Sequence, residues 1–183
     1  MSCIEHYRHW YEHEKASNSA MLKMLKSVPD DKHGDPRFKQ AVTLAAHLAA
    51  CRENWLDRMI NGAKAQTDWW PKDAKLEELP RRYKKMEKQW TDYLAGLTDR
   101  KLDVDFDFPA SSGKGGFRWN IEGQIVQLVG HAFYHRGQIS LLVAQLGGKT
   151  VDTDYLFWEV KRQPDRYKQI AWPPAKVNRK GRG

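Results

Sequence analysis

Apolar residues recur every three or four positions along four stretches of the chain, and this spacing predicts four amphipathic α-helices. The first covers residues 4–28, the second residues 36–60, the third residues 80–94 and the fourth the long apolar run of residues 121–146. Residues that cap or end helices stand beside them: Pro29, Asp35 before Pro36, Gly62, Gly96, Asn120 and Gly147–Gly148. The pattern therefore predicts an all-α fold.

Between the third and fourth helices the period of the pattern changes from about 3.6 to about 2. Residues 102–108 alternate strictly between apolar and acidic side chains, and residues 117–119 alternate after a turn rich in glycine and serine. This is typical of a small β-hairpin. The turn lacks the spacing of a phosphate-binding loop, and we expect the aspartates, which share one face of the strand, to be solvated.

Composition favours one domain with a substantial core, because the 183 residues include eight Trp, seven Tyr and six Phe. No apolar run is long enough to span a bilayer, and the N-terminus does not have the pattern of a signal peptide. Cys3 and Cys51 are too few for a disulfide scaffold and suit a reducing compartment. We therefore expect a cytoplasmic protein with no membrane contact.

The C-terminal part of the chain holds a short helix and a basic tail. Residues 152–158 predict a capped helix that packs its aromatic side on the bundle and completes a domain of residues 1–172. The formal net charge is +8, and removing the four basic charges of residues 173–183 leaves +4 on a body where both signs mix. We expect a flexible tail that contacts polyanions weakly and non-specifically. Nucleic-acid binding stays open as an alternative.

The fourth helix carries the main candidates for chemistry. Side chains four residues apart lie about 40° apart around a helix and roughly 6 Å from each other, so His131 and His135 point the same way. Gln124, Gln127 and Gln138 fall on the same stripe. Because buried polar groups need partners, this patch predicts a lined cavity. Two imidazoles at this spacing can share a metal ion, but a third ligand must come from elsewhere.

His47 is the third candidate, since it lies midway along the second helix among alanines that permit another helix to approach closely. By itself, a histidine in such a place is also compatible with a hydrogen-bonded core residue. Cys51 follows one turn later, and a small buried apolar side chain is a simpler interpretation of it than a fourth ligand.

A rival cluster lies on the first helix, where His6, His9 and His13 share a face. This face is about 100° or more from the apolar stripe of the helix. Acidic side chains lie beside it: Glu5, Glu12 and Glu14. We therefore expect these histidines to be solvated and not to form a site.

The helices and the histidine motifs together resemble the DinB/YfiT-like superfamily over nearly the whole chain. Residues 131–138, His-Ala-Phe-Tyr-His-Arg-Gly-Gln, look like its signature, and Leu-Gly-Gly at 146–148 follows as in the family. Residues 47–56 resemble the segment that bears the family's first metal ligand, and Asn18 stands near the end of the first helix in a similar way.

The resemblance implies a four-helix bundle with a long crossover connection, and frequently a homodimer. It also implies one divalent metal ion, often zinc or nickel, on His47, His131 and His135. The hairpin and the basic tail are additions to the family pattern. Characterised relatives include thiol-dependent transferases and a maleylpyruvate isomerase. The family name records the induction of one member by DNA damage and does not show DNA binding.

Three neutral imidazoles leave a metal ion at least one open position, as in catalytic zinc sites. That position can hold a water molecule for hydrolysis or a thiol that loses its proton. Gln124, Gln127 and Gln138 are candidates to contact the ligands or a substrate. Arg136 lies about 100° round the helix from the nearest histidine, so we expect it to pack or to form an ion pair.

No catalytic base is evident at motif spacing, because neither Glu53 nor Glu122 lies on the histidine face of its helix. This favours thiol chemistry over hydrolysis, since the metal alone can generate a thiolate. The sequence therefore predicts a metal-dependent transferase that acts on a small molecule with a thiol such as bacillithiol, mycothiol or glutathione. The alternatives are a metal-dependent hydrolase and a non-enzymatic metal-binding or nucleic-acid-associated protein of a stress response.

Overall fold

A computed structural model of the chain describes residues 3–110 and 113–167. These residues form six α-helices and one two-stranded hairpin, so the predicted fold is confirmed. The elements are α1 (Cys3–Lys26), α2 (Pro36–Asn61), α3 (Leu79–Ala95), α4 (Asp99–Leu102), β1 (Asp105–Pro109), β2 (Gly116–Asn120), α5 (Ile121–Gln145) and α6 (Tyr155–Arg162). Single 3-10 turns precede α2 and α3. The chain divides after Val151 into two compact units, and the boundary predicted at residue 173 lies outside the described residues.

The two helices that carry the candidate ligands are capped by local hydrogen bonds. At the start of α2 the Asp35 carboxylate accepts a hydrogen bond of 2.8 Å from the backbone N–H of Arg37. The helix ends at Gly62, whose φ of 67° favours a residue without a Cβ. At the start of α5 the Asn120 side chain accepts a hydrogen bond of 2.6 Å from Gly123 N–H. The caps predicted at Asp35, Gly62 and Asn120 are the ones observed, whereas α5 ends at Gln145 with Leu146 as its C-terminal cap.

The four long helices pack around one hydrophobic core, in which α2 and α1 each contact both α3 and α5. Ala45, Ala46 and Ala49 of α2 are completely buried, so neighbouring helices can approach α2 closely. Trp90 of α3 is also fully buried, and its indole N–H donates a hydrogen bond of 2.9 Å to the carbonyl of Arg52. The core therefore places α5 directly beside the middle of α2.

The hairpin lies immediately before α5, and its two strands pair antiparallel along their length. The prediction of a strand over residues 102–108 began too early, because Leu102 is buried at the end of the short helix α4. Asp105 and Asp107 are exposed, as predicted for that face. Asp107 pairs there with Arg118 of β2 at 2.7 Å.

The second unit contains α6, which begins three residues later than the predicted helix. The Asp154 side chain caps it by accepting a hydrogen bond of 2.8 Å from Leu156 N–H. The predicted packing of its aromatic side on the bundle stays a prediction, and the basic tail of residues 173–183 lies outside the described residues. Across the described chain, no helix combines the length and hydropathy that a membrane span needs.

Candidate metal centre

The contact between α2 and α5 brings three histidines together. His47 comes from the middle of α2, and His131 and His135 come from adjacent turns of α5. The Nε2 atom of His131 lies 3.3 Å from that of His47 and 3.0 Å from that of His135. One ring nitrogen of each histidine lies within 4.8 Å of those of the other two. Within the described residues this is the group of His, Cys, Asp or Glu side chains that converges closely enough for a metal ion.

Hydrogen bonds on the far side of two rings determine which nitrogen faces the centre. His47 Nδ1 lies 2.5 Å from the backbone carbonyl oxygen of Trp69, and His135 Nδ1 lies 2.6 Å from Gln138 Oε1. A carbonyl oxygen only accepts hydrogen bonds, so each Nδ1 carries the ring proton. In the neutral form of each ring the lone pair is therefore on Nε2, which faces the centre, and this is the arrangement expected of metal-binding histidines.

The convergence brings the lone pairs of the histidine nitrogen atoms close together, and these repel one another unless a cation lies between them. His131 carries one ring proton when neutral, and that proton can satisfy only one of the two neighbouring Nε2 atoms. In a tetrahedral site with Zn–N bonds of about 2.0–2.1 Å, two nitrogen ligands lie about 3.3 Å apart, and the two observed separations are close to that value. The three residues therefore fit a divalent ion that prefers imidazole nitrogen, such as Zn²⁺ or Ni²⁺.

The protonation state of the cluster suits metal binding. Burial lowers the pKa of His131 to about 4, and the neighbouring His135, His47 and Arg52 contribute in the same direction. Burial also lowers the pKa of His47, against the opposing effect of its hydrogen bond to the Trp69 carbonyl. Both rings are therefore neutral at pH 7, which is the form of imidazole that binds metal ions.

A loop that follows α2 covers one side of the cluster. The Trp70 ring stacks flat on the His47 ring, with centroids 3.5 Å apart and planes at 5°, and lies 6.0 Å from the His135 ring. Trp70 is nevertheless 45% exposed, so the residue that covers His47 is itself in contact with solvent. The helical periodicity assigns no role to residues 67–73, which lie between the second and third predicted helices. The available signal was Trp69-Trp70, a pair of large aromatic residues in a polar segment.

Two side chains of α2 hold this loop in place. The fully buried Asn54 accepts a hydrogen bond of 2.6 Å from Thr67 N–H and donates one of 2.9 Å to the Thr67 carbonyl. One turn later, the Asp57 carboxylate accepts a hydrogen bond of 2.8 Å from Ala65 N–H. Because these bonds determine the path of the loop, they also determine where the Trp69 carbonyl meets His47.

The three predicted glutamines have different surroundings. Gln138 contacts the cluster through His135, as described above. Gln124 is buried and donates a hydrogen bond of 2.8 Å to Gln127, which is exposed. Gln124 lies nearly two turns before His131 along α5, about 10 Å along the axis. The structure therefore brings Gln138 to the histidines, whereas Gln124 and Gln127 contact each other.

Cys51 lies against the cluster but does not converge with it. Its Sγ is 3.4 Å from Nε2 and 3.6 Å from Nδ1 of His47, so it rests beside the ring instead of in line with one nitrogen. Burial raises the pKa of the Cys51 thiol to about 12. The side chain is therefore a neutral, buried thiol in this structure.

The expectation of a solvated histidine face on α1 is wrong for His13. Its side chain is 1% exposed and stacks on Phe133 of α5 with centroids 5.7 Å apart, while Ser17 Oγ lies 3.2 Å from its Nε2. The neighbouring Glu14 is also buried, and it forms an ion pair with Arg52 of α2. Helix α1 thus buries a wider face than its apolar stripe indicates.

Arg136 packs in the interior, as the sequence predicted. Its Nη1 donates a hydrogen bond of 3.3 Å to Asn18 Oδ1, and its guanidinium lies 5.1 Å from the Phe133 ring centre. Burial lowers the pKa of Arg136, although the nearby Glu14 opposes this effect. Its Nε is buried without an acceptor.

Comparison with known proteins identifies one family. The sequence profile of the DinB family matches residues 1–166, which include all three histidines and both helices that carry them. No curated protein and no solved structure matches the chain. The match covers most of the sequence, and the chain therefore belongs to the DinB family.

Proposed function

We propose that the protein binds one divalent metal ion through His47, His131 and His135 and uses it to transfer a low-molecular-weight thiol to a small electrophilic substrate. The observation that carries the proposal is the convergence of three Nε2 atoms. In His47 and His135, a hydrogen bond from Nδ1 on the opposite side of the ring holds Nε2 towards the centre. When bound, a divalent ion at such a site would lower the pKa of a thiol at its open position well below about 8.5.

The residues around the cluster have different roles in metal binding and substrate access. Gln138 and the Trp69 carbonyl hold two imidazole rings in the donor orientation. Trp70 forms an aromatic wall beside His47 and borders the solvent, so it limits which substrates reach the centre. The three neutral imidazoles leave the positive charge of the ion uncompensated, which favours an anionic thiolate as the fourth ligand.

The acids near these helices are engaged elsewhere, which favours thiol transfer over hydrolysis. Glu53 forms an ion pair with Arg82 of α3 at 2.6 Å. Glu122 accepts a hydrogen bond of 2.7 Å from the Tyr7 hydroxyl. In the described residues, no carboxylate joins the converging group. A carboxylate base would assist hydrolysis by taking a proton from water, and its absence from this group makes hydrolysis the second candidate.

Metal content tests the first part of the proposal. Purified protein should carry about one divalent ion per chain, as a single three-histidine site requires. The variants His47→Ala, His131→Ala and His135→Ala should each lose it, while His6→Ala, an exposed histidine of α1, should keep it. Elemental analysis that finds full occupancy in His131→Ala would show that the ion binds elsewhere.

Cobalt spectroscopy tests the second part. The Co²⁺-loaded protein should gain a sulfur-to-metal charge-transfer band when bacillithiol, mycothiol or glutathione is added, because the thiolate would occupy the open position. The measurement is repeated on Cys51→Ser, since the Cys51 thiol lies near His47 and could produce the same band. If no thiol changes the spectrum of that variant, while esters or amides are hydrolysed in a metal-dependent way, the protein is a hydrolase.

We also propose that the protein forms a homodimer through the outer face of α5. Val126, Tyr134 and Leu141 on this face are 53%, 64% and 60% exposed. Tyr134 and Leu141 are seven residues apart, as are the exposed Gly130 and Gly137 beside them. A seven-residue repeat keeps one stripe facing a partner helix, and glycines allow two backbones to approach.

The charge distribution favours a second copy as the occupant of this face. Helix α5 has two charged residues, of which Arg136 is buried and Glu122 is half-buried beside Tyr7. Two positively charged chains repel each other over most of their surfaces, and this face would bring no like charges together.

Sedimentation equilibrium should show a dimer that Leu141→Lys converts to a monomer, with Leu156→Lys as the exposed control. A monomeric parent protein would contradict the proposal.

A further inference from the structure

Arg58 of α2 lies among three aromatic rings outside the metal centre. Its guanidinium carbon is 4.6 Å from the centre of the Trp55 ring, 4.8 Å from that of Trp69 and 5.3 Å from that of Phe108. The rings come from α2, from the loop that follows α2 and from β1. They also contact one another, with Trp55 at 5.9 Å from Trp69 and 4.8 Å from Phe108. Three separate segments thus build one aromatic enclosure around a single cation.

The hydrogen-bond donors of Arg58 have no acceptor in the described part of the chain. Its Nε is buried without a partner, and none of the hydrogen bonds or ion pairs of these residues includes its guanidinium. Arg52, Arg82 and Arg118 each pair with a carboxylate, whereas Arg136, which also has a buried Nε without an acceptor, donates a hydrogen bond to Asn18. Leaving a half-buried cation without an anionic partner costs free energy. Cation–π contacts offset part of this cost, but they leave the N–H groups unused.

We propose that Arg58 is the binding site for the carboxylate group of a small ligand. A guanidinium presents a planar fork of N–H donors that matches the two oxygens of a carboxylate. The flat rings on its faces leave the edge of the fork as the direction from which a ligand approaches. Phe117 of β2 continues the aromatic surface from Phe108 at 5.7 Å and is 59% exposed, so the ligand's apolar body can rest there.

This site is separate from the metal centre but shares a residue with it. Arg58 lies eleven residues after His47 on α2, about 16 Å along the helix axis. Trp69 contributes its ring to Arg58 and its carbonyl oxygen to His47. Carboxylate binding does not require the metal ion, so the inference goes beyond the thiol-transfer proposal. Carboxylate binding should therefore persist in the His131→Ala variant.

Benzoate is a suitable probe, and benzamide is its neutral isostere. In the full chain labelled with ¹⁵N-arginine, the Nε–H resonance of Arg58 is identified by its loss in Arg58→Lys. Benzoate should shift this resonance, because a carboxylate that pairs with the Nη atoms changes the electronic environment of the whole planar guanidinium, including the buried Nε–H. Benzamide should bind at least about tenfold more weakly, since its interaction with the guanidinium is not charge-assisted.

Variants of Arg58 test whether binding depends on the planar guanidinium or only on its positive charge. Arg58→Lys keeps the charge and should weaken benzoate binding by about tenfold, because an ammonium cannot make the paired contacts. Binding is read from tryptophan fluorescence in all variants, and thermal melts confirm that each is folded. Arg100→Lys, at an exposed arginine of α4, should leave the affinity unchanged.

Three results would overturn the assignment. The first is equal binding of benzoate and benzamide, which would indicate stacking alone. The second is an affinity of Arg58→Lys within about twofold of the parent, a difference too small for a lost bidentate contact. The third is no response of the parent protein up to about 50 mM benzoate, beyond the weakest affinity that such a contact would give.

Discussion

At the scale of single residues, Gln138 and the Trp69 carbonyl determine how the histidines are presented. An imidazole without a fixed partner on Nδ1 exchanges tautomers and rotates about its side-chain bonds, so part of its binding free energy is lost in ordering it. His135 has a side-chain amide behind it, and His47 has a backbone carbonyl. Only the contact of His135 can be tested by mutation, because a substitution can remove the side-chain amide of Gln138 but not the backbone carbonyl of Trp69.

Replacing Gln138 with Leu should weaken metal binding by about 10–100-fold, because His135 loses its acceptor while the three ligands remain. Competition with a chromophoric chelator measures this change. Gln127→Leu is the matched control, since Gln127 lies on the same helix and is exposed. Equal affinities of both variants and the parent would show that the amide does not orient the ring.

The sequence indicated the histidines but not what surrounds them. His131 and His135 could be paired from their four-residue spacing alone. His47 was a candidate because it lies among alanines midway along the second helix, and the family resemblance strengthened its grouping with the other two. The Trp69 carbonyl has no signature in the sequence, because every residue has such a group and only the path of the loop selects one. The position of Trp70 on His47 depends on the same path. Long-range contacts of a loop could not be predicted from local patterns.

At the scale of the helices, a buried ion pair joins α1 to α2. The Arg52 Nε donates a hydrogen bond of 2.8 Å to the Glu14 carboxylate, and the guanidinium lies 4.6 Å from the Trp90 ring centre. The apolar pattern of α1 did not reveal this contact, because it assigns each charged position to solvent. A charged residue is buried when its partner lies on another helix, and a single helix's periodicity holds no information on that partner.

Glu14→Gln should destabilise the fold by about 3–5 kcal/mol, because it leaves the buried Arg52 charge uncompensated. Urea unfolding followed by circular dichroism measures the change. Asp107→Asn breaks an exposed ion pair of the hairpin and should have no measurable effect. A Glu14→Gln variant as stable as the Asp107→Asn variant would mean that solvent reaches the pair.

The long helices and the hairpin were predictable, whereas α4 was not. Each long helix spans several turns, so its apolar stripe repeats often enough to be recognised. The four residues of α4 make a single turn, and Leu102 at its end fits equally well the alternation of the strand that follows. The start of β1 was therefore placed three residues too early.

At the scale of the whole molecule, the charge is concentrated at one end of the sequence. Deleting residues 173–183 removes four of the eight net positive charges and should remove most affinity for heparin or DNA. Salt-dependent elution from heparin measures the loss, and metal content and thermal stability should not change. Sequence-selective DNA binding by the shortened chain would instead indicate a nucleic-acid function for the helical body.

The loop held by Asn54 and Asp57 has a thermodynamic consequence. Coupling between two sites is reciprocal. If the loop in its position over His47 raises the affinity of the histidines for a metal ion, the bound ion must stabilise that position of the loop by the same free energy. Lys64 is an exposed residue in this loop, so trypsin can cut there when the loop opens. The rate of that cleavage would then report how much metal the protein holds, without any assay of its chemistry.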